Sequence, residues 1–334
     1  MLKQNFPIDM VITGVDGSDI EWLEEKKKYN PDTDVDDSIA RYREFGTLKY
    51  LMRSIEKNAP WVNNVFLVTN GQIPEWLNLN HPKLKLVKHS DFIPLEYLPT
   101  FSSHPIEWNL HKIEGLSENF IYLNDDMIFM NKVEKRDFFN NGLPCDTFGL
   151  GMIRPVEFFS HIPFNNILVI NHHFNFKETL KKHRSKFFNI IYGIRAIKTC
   201  ILATQGNFYG MYDPHVSISF QKNYFELVWN KENKLISETC KNKFRSKDDV
   251  SIWLVRYWQL LTGNFVPRSN KFGKYYSIHD FIKNNCSSRH KRKETAKIIC
   301  LNDSNVSGVS YKNDRLLFDS IMNRYFPEKS QFEI

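Results

Sequence analysis

Four short apolar runs constrain this chain most. Ile8 to Val15 (IDMVITGV), Val65 to Thr69, Leu84 to Val87 and Phe120 to Leu123 are rich in strand-forming residues, and polar residues close them. Helical patterns lie between them. Leu48, Leu51, Met52, Ile55 and Ala59 recur at helix spacing until Pro60, and a second helical segment runs from about Ser103 to Ile113. Strands alternating with helices predict an α/β fold with a largely parallel sheet. In such sheets ligands bind beyond the carboxyl ends of the strands. Asp16, Asn70 and the trio Asn124, Asp125 and Asp126 all follow apolar runs and are expected at one edge.

The fourth run reads FIYLNDDMIF, with two like charges between apolar stretches. Paired carboxylates at a strand end suit a hard divalent cation, Mg²⁺ or Mn²⁺, that holds a diphosphate. Asn and Asp are also common in tight turns and at helix N-caps. On local sequence both readings stay open.

Composition narrows the class. Of 334 residues, 42% are apolar and 25% charged, which suits a soluble globular protein with a sizeable core. The formal charge of +7 favours an anionic partner such as a nucleotide, a phosphorylated glycan or an anionic membrane surface. Five cysteines with no CxxC argue against a disulfide framework or zinc ribbon and for a reducing cytoplasm. The N-terminus has no apolar signal region, and the longest apolar stretch, Phe187 to Ala203, is broken by Arg195 and Lys198. GxGxxG, P-loop, HExxH and GxSxG signatures are absent.

The second half reads differently. Pro31 to Asp37, rich in aspartate, is expected to be a mobile loop, and Asn175 to Gly206 is basic and helical in pattern. The plainer reading of that basic segment is a solvated face; the alternative is contact with a membrane or an anionic acceptor. Ser246 and Asp249 fit a capping box ahead of an apolar stripe of Val250, Trp253, Leu254, Tyr257, Trp258 and Leu261. Arg245, just before that cap, suits either an anion at a helix N-terminus or a surface ion pair. His215 lies in an aromatic-rich loop next to Pro214. The basic run Ser287 to Lys293 comes with no nucleic-acid reader motif, so no nucleic-acid partner is expected.

Four blocks of the chain resemble those of the Stealth family of sugar-1-phosphate transferases, which includes bacterial capsular and cell-surface polysaccharide phosphotransferases and the animal GlcNAc-1-phosphotransferase. They are IDMVITGVDGSDIEW (Ile8 to Trp22), a long block from Arg41 to about Phe148, the stretch from YDPHVSISFQK to FRSKDDVSIW, and IICLNDSN (Ile298 to Asn305). The family usually has Trp where this chain has Gly14.

The resemblance implies a GT-A-like nucleotide-sugar transferase core. It also implies transfer of a sugar-1-phosphate from a UDP-sugar to a glycan hydroxyl, with release of UMP. The acceptor would be an oligo- or polysaccharide, either free or lipid-linked, and the enzyme would work in the cytoplasm or at the inner membrane face. By the same resemblance, Asp125, Asp126 and Asp303 hold Mg²⁺ or Mn²⁺. Asp16, Gly17, Asp19, Asn70 and Asn124 line the donor site. Arg245 stabilises phosphate charge, Asp249 orients a neighbour, and His215 or Glu107 is the base. Arg41, Lys49 and Arg53 match family positions expected to bind substrate. One catalytic unit is expected, with a donor and metal half (1–150), a variable basic helical insertion (151–209) and a C-terminal catalytic half (210–334). Two other classes stand beside this reading: a metal-dependent glycosyltransferase releasing UDP, and a non-catalytic glycan binder.

Overall fold

The computed structural model describes residues 6–14, 16–29, 45–156, 160–286, 294–303 and 308–334. The loop expected at Pro31 to Asp37, Arg41 and the basic run Ser287 to Lys293 lie outside them. The strands are β1 (Ile8–Thr13), β2 (Val65–Thr69), β3 (Leu84–Lys88), β4 (Asn119–Asn124), β5 (Met127–Phe129), β6 (Phe139–Asn140), β7 (Leu143–Asp146), β8 (Ile218–Gln221), β9 (Val266–Pro267), β10 (Gly273–Ser277) and β11 (Ile298–Asn302). The helices are α1 (Ile20–Tyr29), α2 (Thr47–Asn58), α3 (Ser103–Asn109), α4 (His161–His173), α5 (Phe176–Lys182), α6 (Arg184–Phe187), α7 (Ile194–Leu202), α8 (Lys222–Lys231), α9 (Asn233–Lys241), α10 (Trp253–Leu261), α11 (Ile278–Cys286) and α12 (Gly308–Tyr325).

The main sheet has the order β3-β2-β1-β4-β8. Its first four strands are parallel, as the alternation of strands and helices predicts, and β8 closes it antiparallel to β4. Successive side chains of a strand face opposite sides of a sheet. Met10, Ile12, Leu67, Ile121 and Leu123 therefore join one core cluster, whereas Val11, Phe66, Val68, Phe120 and Tyr122 join the other. Both faces are covered, which is why these strands are apolar throughout rather than alternating. Gly46, at φ +79°, turns the chain into α2 in a left-handed conformation that glycine adopts without strain.

A second sheet, β10-β11-β5, hangs on the same strand end. β5 follows β4 after the two-residue turn Asp125-Asp126 and pairs antiparallel with β11, which pairs parallel with β10. Residues far apart in sequence thus meet at the carboxyl edge of β4. The expected helix after Ser246 begins later than its cap suggests. Ser246 and Asp249 close a turn, and α10 starts only at Trp253. Val250 precedes the helix but remains in the core.

Candidate active site

The Asp125-Asp126 turn sits where the two sheets join. The two carboxylates have different surroundings. Asp126 lies under β11: its carbonyl accepts Leu301 N at 2.9 Å, and its Oδ2 accepts Cys300 Sγ at 3.4 Å. Its Oδ1 is buried and makes no hydrogen bond. Burial raises the Asp126 pKa to about 6, against small opposing effects from Cys300 and its own backbone. Asp125 faces the end of β1, where a Cβ on Gly14 would lie 3.4 Å from Asp125 Cβ and 3.5 Å from Oδ2. Any larger residue at 14 would therefore overlie that carboxylate, and glycine leaves it uncovered.

Among the described residues, no three His, Cys, Asp or Glu side chains converge as a cation cage. Asp303 leaves β11 near the turn without forming a three-carboxylate group with Asp125 and Asp126. Two carboxylates, one with an unsatisfied oxygen, still fit Mg²⁺, which is commonly held by one or two carboxylates, water and substrate phosphates rather than by an all-protein cage.

On the α3 side the polar groups are tied together. Tyr122 OH donates to Glu107 Oε1 at 3.0 Å and lies 3.1 Å from Thr13 Oγ1, so Glu107 reaches across β4 to the end of β1. Burial first, and then the Glu107 carboxylate, push the Tyr122 phenol far above its ordinary pKa, so it acts as a hydrogen-bonding group and not as a base. Arg245 Nη2 donates to Ser103 Oγ at 3.1 Å, which fixes the guanidinium at the N-terminus of α3. The chain ahead of it is held by the bond from Phe101 N to Lys243 O at 2.8 Å and by the Phe101–Phe244 stack at 5.3 Å. Trp22 of α1 packs edge-on against Phe101 at 5.8 Å. This small apolar cluster joins the loop after β1, the start of α3 and Arg245.

Asp249 has a narrower task than sequence suggests. Its fully buried carboxylate accepts from Asn242 Nδ2 at 2.7 Å and Ser246 N at 2.9 Å, and pairs with His104 Nδ1 at 2.9 Å. Those partners occupy it, so it holds His104 and the turn behind Arg245 and does not face a substrate. Lys49 and Arg53 are not brought to the rim. Arg53 donates to both oxygens of Glu333 at 2.8 and 2.9 Å and to Phe326 O at 2.8 Å, and Lys49 lies 3.6 Å from the same carboxylate. α2 spends these cations on the C-terminal tail, and such buried, fully bonded guanidinium groups have no donor left for phosphate.

On the opposite side stands His215. Its backbone is left-handed, φ +45°, a conformation that costs a residue with a Cβ about 1 kcal/mol or more. Its ring lies 5.8 Å from Trp253 and 5.9 Å from Tyr275. It keeps an exposed edge, while desolvation by these walls draws its pKa below the ordinary imidazole value. A base that is neutral at working pH results. The loop is pressed onto β10: a Cβ on Gly273 would come within 2.5 Å of Val216 Cγ1. Tyr275 is registered against Cys300, whose thiol bonds Asp126, so one cross-strand pair separates the His215 wall from the acidic turn.

Asp16, Gly17, Asp19, Asn70 and Asn124, expected from the family resemblance to line a donor site, lie at or just beyond the ends of β1, β2 and β4. Asp16 Oδ1 accepts from Ser18 N at 2.8 Å and Ser18 Oγ at 2.6 Å, forming a turn that includes Gly17, and Asp19 Oδ1 caps α1 by accepting Trp22 N at 2.8 Å. Gln72 exchanges two hydrogen bonds with the Asp16 backbone, tying the loop after β1 to the loop after β2. Asn124 stands opposite Thr13. Beside this loop pair, at the ends of β2 and β3, opens a cavity of 360 Å³ lined by Glu25, Asn70, Lys88, His89 and Leu95, among others. The His89 Nδ1 is buried with no hydrogen bond, and burial lowers its pKa to about 4. His104, Tyr122 and Gln72 escape sequence reasoning because they bond residues distant in the chain, and His89 because only its burial marks it. The run Ser102-Ser103-His104-Pro105, a capped helix start, is the one local signal for His104.

These features define an α/β protein with an acidic turn at the carboxyl rim of its parallel strands. Family models described as Stealth protein conserved region 1 and conserved region 2 match residues 6–34 and 41–145. The capsular polysaccharide phosphotransferase WcwK of Streptococcus pneumoniae is 41% identical, covering 98% of both chains. The exopolysaccharide phosphotransferase cps2G of Lactiplantibacillus plantarum is 41% identical over 98% of this chain and 96% of its own. The receptor polysaccharide phosphotransferase WefC of Streptococcus gordonii is 38% identical over 98% and 99%. Among solved structures, the galactosyltransferase LgtC, in complex with donor and acceptor sugar analogs, superposes with a TM-score of 0.41 at 10% identity, covering 95% of each chain. The chain belongs to the Stealth family of polysaccharide phosphotransferases.

Proposed function

We propose that the enzyme transfers a sugar-1-phosphate from a UDP-sugar to a glycan hydroxyl in the synthesis of a capsular or other cell-surface polysaccharide. The observation that carries this reading is the acidic turn at the parallel sheet's edge, with a buried Asp126 oxygen left unsatisfied, in a chain 41% identical to a named phosphotransferase. The nucleoside enters the cavity beside Asn70, where the neutral His89 offers a hydrogen-bonding edge to the base. Asp16, Gly17 and Asp19 shape the loop alongside.

The acceptor oxygen attacks the β-phosphorus, and its proton passes to His215. An acceptor-oxygen–phosphorus bond forms, and the bond to the bridging oxygen breaks. UMP departs with that electron pair, and the sugar keeps its own bond to oxygen. Arg245, braced by Ser103, meets the charge that develops on the phosphoryl oxygens. Asp125 and Asp126 would hold Mg²⁺ or Mn²⁺, which neutralises the diphosphate when bound. The Glu107–Tyr122–Thr13 chain braces the rim, and Glu107 is the runner-up base. The acceptor is an oligo- or polysaccharide, lipid-linked in its early stages, and the enzyme works as a peripheral protein at the cytoplasmic membrane face. Among the described residues no helix is long and apolar enough to cross a membrane.

A panel of UDP-sugars with Mg²⁺ and a glycan acceptor, scored for nucleotide product, tests the reaction. UMP release with labelled β-phosphate in the glycan is expected; UDP release would make the enzyme a glycosyltransferase and end this reading.

A further inference from the structure

Helix α7 turns an apolar stripe outward, whereas α5 and α6 bury Phe176, Leu180 and Phe187 in the usual way. Along α7, Thr199 is fully buried and its Oγ1 accepts Leu150 N at 3.2 Å, while the Arg195 guanidinium lies 3.6 Å over the Tyr212 ring. Arg195 and Thr199 thus face the protein, with Ala196 and Leu202 packed against the core beside them. Ile194, Ile197 and Ile201, spaced three and four apart, form a stripe on the opposite side and are 68%, 61% and 62% exposed. Ile190 and Ile191, one turn earlier, continue it at 91% and 45%. Soluble helices place such a stripe inward. Of the twenty large hydrophobic residues exposed among the described residues, ten lie between Met152 and Tyr209. Scattered surface apolar residues need no explanation, but a helical stripe of β-branched residues does.

Charge decides what covers it. Between residues 176 and 210 seven lysines and arginines face a single acid, Glu178, a surplus of six out of a formal net +7. Lys181, Lys182 and Arg184 are exposed on the two preceding helices, and Lys198 is exposed on α7 itself. Two copies meeting face to face would bring these surpluses together, which opposes a symmetric dimer. An apolar stripe flanked by cations is instead the two-part signal of a helix lying in an anionic lipid surface.

We propose that α7 and the turn before it seat the enzyme on an anionic phospholipid bilayer, with the isoleucine stripe in the acyl boundary and the neighbouring lysines and Arg184 at the headgroups. Through Arg195 the helix grips Tyr212, whose carbonyl accepts Arg256 Nη1 at 2.9 Å, three residues ahead of His215. The bilayer therefore sits on the side of the loop proposed to meet the acceptor. The inference deepens the peripheral-enzyme part of the functional reading and is independent of the phosphotransfer chemistry.

Flotation of the full chain with phosphatidylglycerol-rich vesicles, against pure phosphatidylcholine, tests it. The chain should float with the anionic vesicles and be released by high salt. The triple variant Ile194→Asp, Ile197→Asp, Ile201→Asp should lose about a hundredfold in partitioning while releasing UMP from the donor at the original rate when the acceptor is soluble. A second variant, Lys181→Gln with Lys182→Gln, changes no packed side chain and should lose about tenfold. Three results each overturn the proposal: a native chain that stays at the bottom of the gradient, variants that float as well as the native chain, or a native dimer in sedimentation that the isoleucine variant turns into a monomer. A native chain that floats but makes no UMP would leave the seating intact and sink the catalytic reading.

Discussion

The rim of the main sheet and the basic insertion break the same rule in opposite directions. At the rim, charge is turned inward: Asp126 keeps an unsatisfied oxygen under β11, and Asp249 is buried among donors. In the insertion, apolar surface is turned outward along α7, while Arg195 and Thr199 occupy the inner face. Ordinary folding stability explains neither, since a buried unsatisfied carboxylate and an exposed aliphatic stripe both cost free energy. Departures of this kind mark places where a ligand completes the structure. On the readings proposed above, the ligand is a cation with its diphosphate at the rim and a lipid surface at the insertion.

The sharpest way to break the comparison is to remove the charge at the rim. Asp126→Asn should lower UMP release by about 10³-fold, because a carboxamide is a poor ligand for a hard cation. Its thermal stability should hold, since the substitution removes a buried charge and leaves the backbone bond from Leu301 in place. Asp125→Asn should cost a comparable factor. A variant with native turnover would show the turn to be only a turn. Next in size, His215→Asn should cost about 10²-fold in turnover. Asn tolerates a positive φ, so this change separates the proton acceptor from the strained backbone at φ +45°. If His215→Asn turns over normally while Glu107→Gln does not, Glu107 is the base. Third, Arg245→Lys should cost about tenfold, because an ammonium lacks the planar fork that can bond Ser103 and phosphate together.

What sequence revealed, and what it hid, follows from the range of each interaction. β1, β2 and β4 are legible because burial on both faces makes each a nearly continuous apolar run, whereas the edge strand β3, LKLVK, alternates with exposed Lys85 and Lys88. The placement of Asp16, Asn70 and Asp125 at one edge follows from parallel topology, but their order along it, Asn70, Asp16, Asp125, comes from the strand order β2-β1-β4. The Ser246–Asp249 turn is also local, but only half of the expected box forms: Asp249 accepts Ser246 N, while Ser246 Oγ accepts Asp248 N, and α10 starts only at Trp253. The long-range tasks are hidden. Nothing near Asp249 points to His104, 145 positions away, and nothing near Arg53 points to Glu333, 280 away. The isoleucine stripe is visible as a helical period, but only the inward turn of Thr199 shows which side is out.

That distance effect gives the smallest prediction on activity, and it concerns a cation that family likeness assigned to substrate. If Arg53 serves the tail alone, Glu333→Gln and Arg53→Met should each lower the melting temperature by a few degrees and leave the KM for the donor unchanged. Glu333 also dictates a pH signature. Burial by itself would raise its pKa, but the hydrogen bonds from Arg53 and Ser330 and the Arg53 charge outweigh that and hold it at about 2. A carboxyl whose folded pKa lies below its unfolded value stabilises the fold above the unfolded value, here 4.5, and loses that contribution as pH falls toward 2. The native enzyme should therefore lose melting temperature through that window more steeply than Glu333→Gln, with the two curves converging at the acid end. A rise in donor KM for Arg53→Met at unchanged stability would instead return this arginine to the rim and place the substrate across α2.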